Sequence, residues 1–415
     1  MKPSLLATLL FASVACATSN AAPARAVTKA PEEVRALWVV RNSITSPEGV
    51  DTVVADAKGA GFNTLIVQVR GRGDAYYASR WEPRTIALKD QPDSFDPLAA
   101  ILKRAHAEGI SVHAWLNTVF VANLDDLPPQ ANHPYNEHPE WIAVPRAAAA
   151  ELYATDPADP KYRERIIEVS KRNMSELEGL YLAPSHPQVK EHIYNVFIDV
   201  VENYDVDGVH FDYVRLPSPD FDYSRTALER FRSEVEATLS DEERQLFSGL
   251  AVNRPLIYVE TYPEEWNRFR REQVTGIVER IYTGVKARKP NVLVSAAVFG
   301  NDEDAFTRRF QDWKLWLERG ALDVLCPMAY AVDTDVWKRQ IAVARGFAFG
   351  RQVWAGIGAY RQSPEATVEK IELSRRMGVD GFVLFSYGSI VRPPDVPGEP
   401  TALQKIAPVV RGGRE

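Results

Sequence analysis

Asp212 is the residue around which a chemistry can first be built. It ends the segment Val209-His210-Phe211-Asp212-Tyr213, where alternation puts His210 and Asp212 on one face of a strand. The same alternation puts Gln68 and Arg70 on one face of residues 63–70. It also groups His113, Trp115 and Asn117 on one face of residues 110–117. Polar groups gathered at the ends of apolar strands are costly to bury unless they meet each other, water or a ligand. Hydrolysis of a glycosidic bond needs two carboxyl groups, one held protonated and one ionised. Asp212 is taken as nucleophile or base, and Asp333, then Glu260, as candidates for the partner acid. Asp74, Asp302, Glu303 and Asp335 also follow strands, and Asp333 suits a helix N-cap equally well. A purely structural pairing of Asp212 with Arg70 or Arg215 is the competing reading. Gln68, Arg70, Asp74, His113, Trp115, Asn117, His210, Tyr213 and Tyr330 make up the expected substrate-binding set.

Two other chemistries are open to the same residues. A metal-dependent polysaccharide deacetylase would use His210 and Asp212 as ligands. No His-x-x-x-His pair accompanies them: His133 and His138 lie in a Pro-rich stretch, and His186 and His192 are poorly spaced for one helical face. The reading therefore expects neither metal nor cofactor. A non-catalytic glycan-binding protein that kept the scaffold and lost an acid is the third possibility.

The elements that must position these residues recur in one pattern: an apolar strand, a helix, a glycine, the next strand. Strands are expected at 35–40, 63–70, 110–117, 208–213, 292–299, 322–330, 352–359 and 381–387. Ser46-Pro47, Asp96-Pro97 and Ser363-Pro364 each pair a capping side chain with proline at the first helical position. Val50, Val53, Val54 and Ala57 then form a single helical stripe. Gly61, Gly109, Gly320 and Gly378 fall where helices end. Eight such units, without a glycine-rich dinucleotide fingerprint after the first strand, predict a (β/α)8 barrel over residues 33–412. Two connections, 118–187 and 214–263, are far longer than the usual few residues. Both follow strands, the third and the fourth, so both should lie over the C-terminal mouth, where such barrels carry their sites. Long mouth loops suit a polymer.

Residues 1–26 read as an export signal: Lys2, then an apolar run from Leu5 to Ala15 too short to span a membrane. Ser13-Val14-Ala15-Cys16 resembles a lipoprotein box, which would leave Cys16 lipidated and the protein facing the periplasm or outer membrane. The alternative is cleavage near Ala22 to Ala26, releasing a soluble periplasmic or secreted protein. Residues 27–32 extend an Ala-, Pro- and Thr-rich tether. With Cys16 removed or lipidated, Cys326 has no partner for a disulfide. A formal charge of −7 argues against nucleic acid or an anionic lipid surface as partner, so any membrane contact would run through the lipid. Oligomeric state is not indicated.

Several stretches together resemble one family, the bacterial glycosyl-hydrolase-like proteins numbered ten, relatives of the divisome-localised lipoprotein glycosyl hydrolase. They are Arg35-Ala36-Leu37-Trp38-Val39, Gln68-Val69-Arg70 with Gly73-Asp74-Ala75-Tyr76-Tyr77, Phe95-Asp96-Pro97-Leu98, and His113-Ala114-Trp115-Leu116-Asn117. Tyr204 through Tyr213 is the strongest, and Phe310-Gln311-Asp312-Trp313, Asp323 through Tyr330 and Gly356-Ile357-Gly358 continue it. The resemblance runs in order across nearly all of residues 33–390. It implies a (β/α)8 barrel and hydrolysis of a cell-envelope polysaccharide, above all peptidoglycan glycan strands stripped of stem peptides. This chain departs from the family in three places. Tyr213 follows Asp212 where many relatives have a second acid, Leu182-Ala183-Pro184-Ser185 replaces Leu-Asn-Pro-Gly, and residues 146–178 look like an extra insertion.

Overall fold

The computed structural model describes residues 33–172, 177–394 and 396–412. The expected leader, the expected tether and Cys16 therefore lie outside the described residues. Among the described residues there are ten strands: β1 Val34–Val39, β2 Thr64–Arg70, β3 Ser111–Asn117, β4 Phe120–Ala122, β5 Leu180–Tyr181, β6 Gly208–Asp212, β7 Leu293–Phe299, β8 Val324–Met328, β9 Gln352–Gly358 and β10 Gly381–Phe385. Eight are parallel and close into a barrel in the order β1-β10-β9-β8-β7-β6-β3-β2, with Val34 to Leu37 of β1 paired to Gly381 to Leu384 of β10. This is the (β/α)8 barrel that the repeating strand–helix pattern predicts.

The capping signals act locally. The side chains of Ser46, Asp96 and Ser363 accept hydrogen bonds from the amides of Gly49, Ala99 and Ala366 at 3.1, 2.9 and 3.2 Å, starting Pro47–Ala60, Pro97–Ala107 and Pro364–Arg376. Alternation along each strand then divides the core in two. Leu37, Val39, Leu65, Val67, Val112 and Ala114 pack outward beneath the helices. Ala36, Trp38, Ile66, Trp115, Cys326 and Trp354 fill the barrel itself. Cys326 is a buried free thiol.

Along the β3–β6 seam the inward residues stack in register: His113 beside Gly208, Trp115 beside His210, Asn117 beside Asp212. The deepest of these layers works because one partner has no side chain. A Cβ on Gly208 would lie 2.4 Å from Nδ1 of His113.

Arg70 does not share the face of Gln68. The β2–β3 register slips between these two residues, so Gln68 pairs with inward Trp115 and Arg70 with outward Leu116. An extra residue in one strand reverses the sidedness of everything after it. Arg70 is fully buried, and its guanidinium grips both oxygens of Glu82 at 2.7 and 2.6 Å. It also donates to the carbonyls of Asn117 and Thr118. His192 meets the same Glu82 at 3.0 Å, tying the helix Pro187–Asn203 to the loop after β2.

The two long connections have structure of their own. Within 118–187, β4 and β5 form an antiparallel pair and two helices follow one another, Arg146–Tyr153 and Pro160–Arg172. The second connection holds Arg225–Glu236 and Asp241–Ala251 before the 26-residue helix Pro263–Arg288.

Two stability measurements check this account. Gly208→Ala should lower unfolding free energy in urea by about 2–3 kcal/mol, an overpacking cost, and trimming the clash with His113→Ala in the same chain should recover part of it. Glu82→Gln strands the Arg70 charge in the core and should cost about 3–5 kcal/mol. A loss under 1 kcal/mol would mean that water reaches Arg70.

Candidate active site

The C-terminal mouth of the barrel opens into a cleft of about 760 Å³. Asp212 enters it from the end of β6. The next residue, Tyr213, has φ 50, a left-handed backbone that an aromatic residue adopts only when its surroundings hold it there. That turn aims the Tyr213 amide back at Asp212 Oδ1, 2.7 Å away. The Asp212 carbonyl accepts the Thr118 amide at 2.7 Å, so the turn is fastened to the chain leaving β3.

Facing Asp212 is Glu178, contributed by the segment that precedes β5. Gly179, which follows it, lets β5 approach β4: a Cβ there would sit 2.2 Å from the Ala122 carbonyl oxygen. Glu178 accepts a hydrogen bond from the Tyr181 hydroxyl at 2.7 Å. Between the two acids lies Arg215, buried, with Nη2 2.9 Å from Glu178 and Nη1 3.9 Å from Asp212 Oδ1. The rings of Tyr213 and Phe299 enclose its guanidinium at 4.2 and 4.9 Å. Contact with the two ends of one guanidinium caps the oxygen–oxygen separation at about 9 Å, within the span of glycosidase carboxyl pairs.

The two carboxyls differ in acidity. Burial pushes Asp212 up to about 6, against the pull of Arg215 and the Tyr213 amide. For Glu178 partial burial pushes upward too, but Arg215 and the Tyr181 hydroxyl outweigh it and hold the group below the usual carboxylate range. One acid is therefore poised to hold its proton up to about pH 6 while its neighbour stays ionised, the division of labour that glycoside hydrolysis requires.

A polar chain supports the floor. Arg41 donates to Gln68 at 2.8 Å and Gln68 donates to Asn117 Oδ1 at 3.3 Å. Trp115 Nε1 donates to the same oxygen at 2.8 Å, and Asn117 Nδ2 reaches the Gly71 carbonyl at 2.8 Å. The rings of Trp38, Tyr330 and Phe385 pack edge to face and offset beside it.

Of the residues singled out from sequence, the structure brings Gln68, Trp115, Asn117, Asp212, Tyr213 and Tyr330 into the cleft lining. It does not bring the two expected partner acids there. Asp333 caps the helix Thr334–Gly346, accepting the Val336 amide at 2.8 Å, and Glu260 lies on a short helix paired with Arg254 at 3.0 Å. Asp74 turns to the Arg72 amide in a separate hollow of about 100 Å³. Arg70 serves the buried network with Glu82. His113 and His210 lie within the barrel beneath the cleft. Burial holds His113 down to about 4, and its Nδ1 has no partner. His210 accepts from Trp38 Nε1 at 3.2 Å and donates through Nδ1 to Ser295 Oγ at 2.8 Å, since Ser295 spends its own hydrogen on the Val209 carbonyl. With both nitrogens engaged, His210 has no lone pair to offer a metal, which counts against the deacetylase ligand set.

Glu178 and Arg215 escaped the sequence reading as site residues. Glu178 closes the stretch taken for an extra insertion, and Arg215 entered only as a structural partner. The one local signal was Glu178-Gly179 immediately before an apolar pair.

Comparisons with known proteins bear on the family and the fold. The chain is 24% identical over 427 residues to glycosyl hydrolase YngK of Bacillus subtilis, covering 90% of this chain and 71% of that protein. It is 22% identical over 379 residues to glycosyl hydrolase DigH of Escherichia coli, covering 84% and 75%. Among solved structures it is similar in fold to the glycoside hydrolase domain of PgaB (BpsB) from Bordetella bronchiseptica. That match has a TM-score of 0.59 at 15% identity and covers 88% of this chain and 97% of that one. The catalytic domain of β-amylase from Paenibacillus polymyxa matches with a TM-score of 0.58 at 13% identity, covering 92% and 98%. The model of one family, Glycosyl hydrolase-like 10, matches residues 33–174 and 168–346, and this chain is a member of that family.

Proposed function

We propose that this protein hydrolyses glycosidic bonds within a cell-envelope polysaccharide, with peptidoglycan glycan strands as substrate, and that Asp212 and Glu178 are its two catalytic carboxyls. The observation that carries this is the pair of unequal acids on one buried arginine at the barrel mouth. Asp212, protonated at Oδ, gives its proton to the glycosidic oxygen as the bond to the anomeric carbon breaks. Glu178, ionised, supplies the negative charge that the developing oxocarbenium ion needs and attacks it directly or through water. These roles reverse the expectation for Asp212, because its burial favours the acid form. Arg215 keeps Glu178 ionised without holding Asp212 as tightly, the two contacts being 2.9 and 3.9 Å.

A cleft walled in part by the connection after β3, through Phe120, Asn123 and Glu178, suits a chain of sugars, and an export signal in residues 1–26 would suit a substrate outside the cytoplasm. The same proposal includes lipidation at Cys16 and a periplasm-facing location.

Kinetics on denuded glycan strands test the assignment. Asp212→Asn and Glu178→Gln should each reduce kcat by about 1000-fold while still binding the glycan. The wild-type rate should fall as pH rises through about 6, where Asp212 loses its proton. Glycan binding with no product from the wild type would instead identify a non-catalytic glycan receptor.

Stability gives an independent check. A carboxyl whose pKa is higher folded than unfolded takes up more protons in the folded state. Its contribution is thus greatest in acid and is lost between about pH 4 and 6. Asp212→Asn should accordingly raise Tm by a few degrees at pH 8 and leave it nearly unchanged at pH 4. A lowered Tm at pH 8 would show that the Asp212 charge stabilises the fold.

A further inference from the structure

Across the barrel from the two acids lies a second concentration of charge. In the ring order β10 stands opposite β6, with three strands between them on either side. Arg41 follows β1 and Arg361 follows β9, the two neighbours of β10, and both line the cleft. Arg41 is half-buried and held in place by Gln68 at 2.8 Å. Its stem packs on Gly71, where a Cβ would come 2.6 Å from Arg41 Nε. Arg361 is exposed, its guanidinium 6.0 Å from the ring of Tyr360. Among the described residues neither arginine forms an ion pair with a carboxylate. Arg215, the third cation of the cleft, already serves Glu178 and Asp212.

Tyr360 completes the wall. Its ring is 50% exposed, a large fraction for a tyrosine, yet it is fixed edge-on against Tyr330 and Phe385 at 6.0 and 5.6 Å. A fixed, exposed aromatic face beside a sugar cleft offers a stacking platform. Two unpaired guanidiniums beside it create a local positive field in a chain of formal charge −7. Neutral sugars would leave those charges unanswered.

We propose that Arg41, Arg361 and Tyr360 form a subsite that takes a carboxylate-bearing sugar of the glycan, a unit removed from the bond cleaved between Asp212 and Glu178. This rests on the reading of the cleft as a site for peptidoglycan strands, whose muramic units bear carboxylates, and adds which residues recognise that carboxylate. Guanidinium groups suit a sugar carboxylate because they donate two parallel hydrogen bonds.

Binding to the Asp212→Asn protein, which leaves the ligand intact, tests it. Two probes share one backbone: a linear oligosaccharide of alternating N-acetylglucosamine and N-acetylmuramic acid with free carboxylates, and the same oligosaccharide with each carboxylate converted to its methyl amide. By calorimetry at low salt the anionic probe should bind about tenfold more tightly, and the advantage should shrink below about threefold when Arg41→Gln and Arg361→Gln are added. Arg361→Gln alone, at an exposed position away from the core, should already remove part of it. Equal affinity for the two probes, or an advantage that survives both substitutions, overturns the anionic subsite alone. Failure of both probes to bind overturns the glycan reading with it.

Discussion

A single buried guanidinium sets the chemistry of the cleft. Arg215 cannot sit in a low-dielectric site without compensation, since an unpaired buried charge costs several kcal/mol. It obtains that compensation from Glu178 at 2.9 Å, from two aromatic faces, and more weakly from Asp212 at 3.9 Å. The inequality of the two contacts is what separates the acids. Glu178 receives enough positive charge and hydrogen bonding to stay ionised, while Asp212 remains dominated by its own desolvation. Two carboxyl groups thus come to differ in acidity through position alone.

Those positions come from different parts of the chain. The barrel delivers Asp212, because β6 is buried on both faces and ends at the mouth. The left-handed turn at Tyr213 then does two things at once: it gives Asp212 an amide partner and places the tyrosine ring over Arg215. Glu178 is delivered by the connection after β3, through the short β4–β5 pair and the close approach that Gly179 permits. The scaffold supplies rigidity and one acid, and the long connection supplies the other. That is the usual way a barrel carries a site on loops held by a stiff core.

Polar groups deeper in the barrel have another job. His210 is satisfied on both nitrogens, His113 is accommodated by the absent side chain of Gly208, and Arg70 neutralises Glu82 on the outer side of β2. Burial keeps both histidines neutral, so they add no charge beneath the cleft. The field at the mouth is therefore governed by Arg215, Arg41 and Arg361 together with the two acids. Stability and chemistry occupy adjacent layers of one barrel.

The amino-acid sequence determined the architecture and part of the lining of the candidate cleft. Strand alternation, proline-preceded caps and glycine punctuation are local signals, and they sufficed for eight strand–helix units, for the mouth location of Asp212, and for Trp115, Asn117 and Tyr330 around it. Tertiary structure decided the rest, because the remaining facts depend on contacts between residues far apart in the chain. The bulge between Gln68 and Arg70 reverses a face without leaving a mark in residue types. Asp333 follows an apolar strand and Glu178 precedes one, and only packing makes one a helix cap and brings the other onto Arg215 opposite Asp212. Acidity itself is a three-dimensional property, set by burial and by a shared arginine three residues from one acid and thirty-seven from the other.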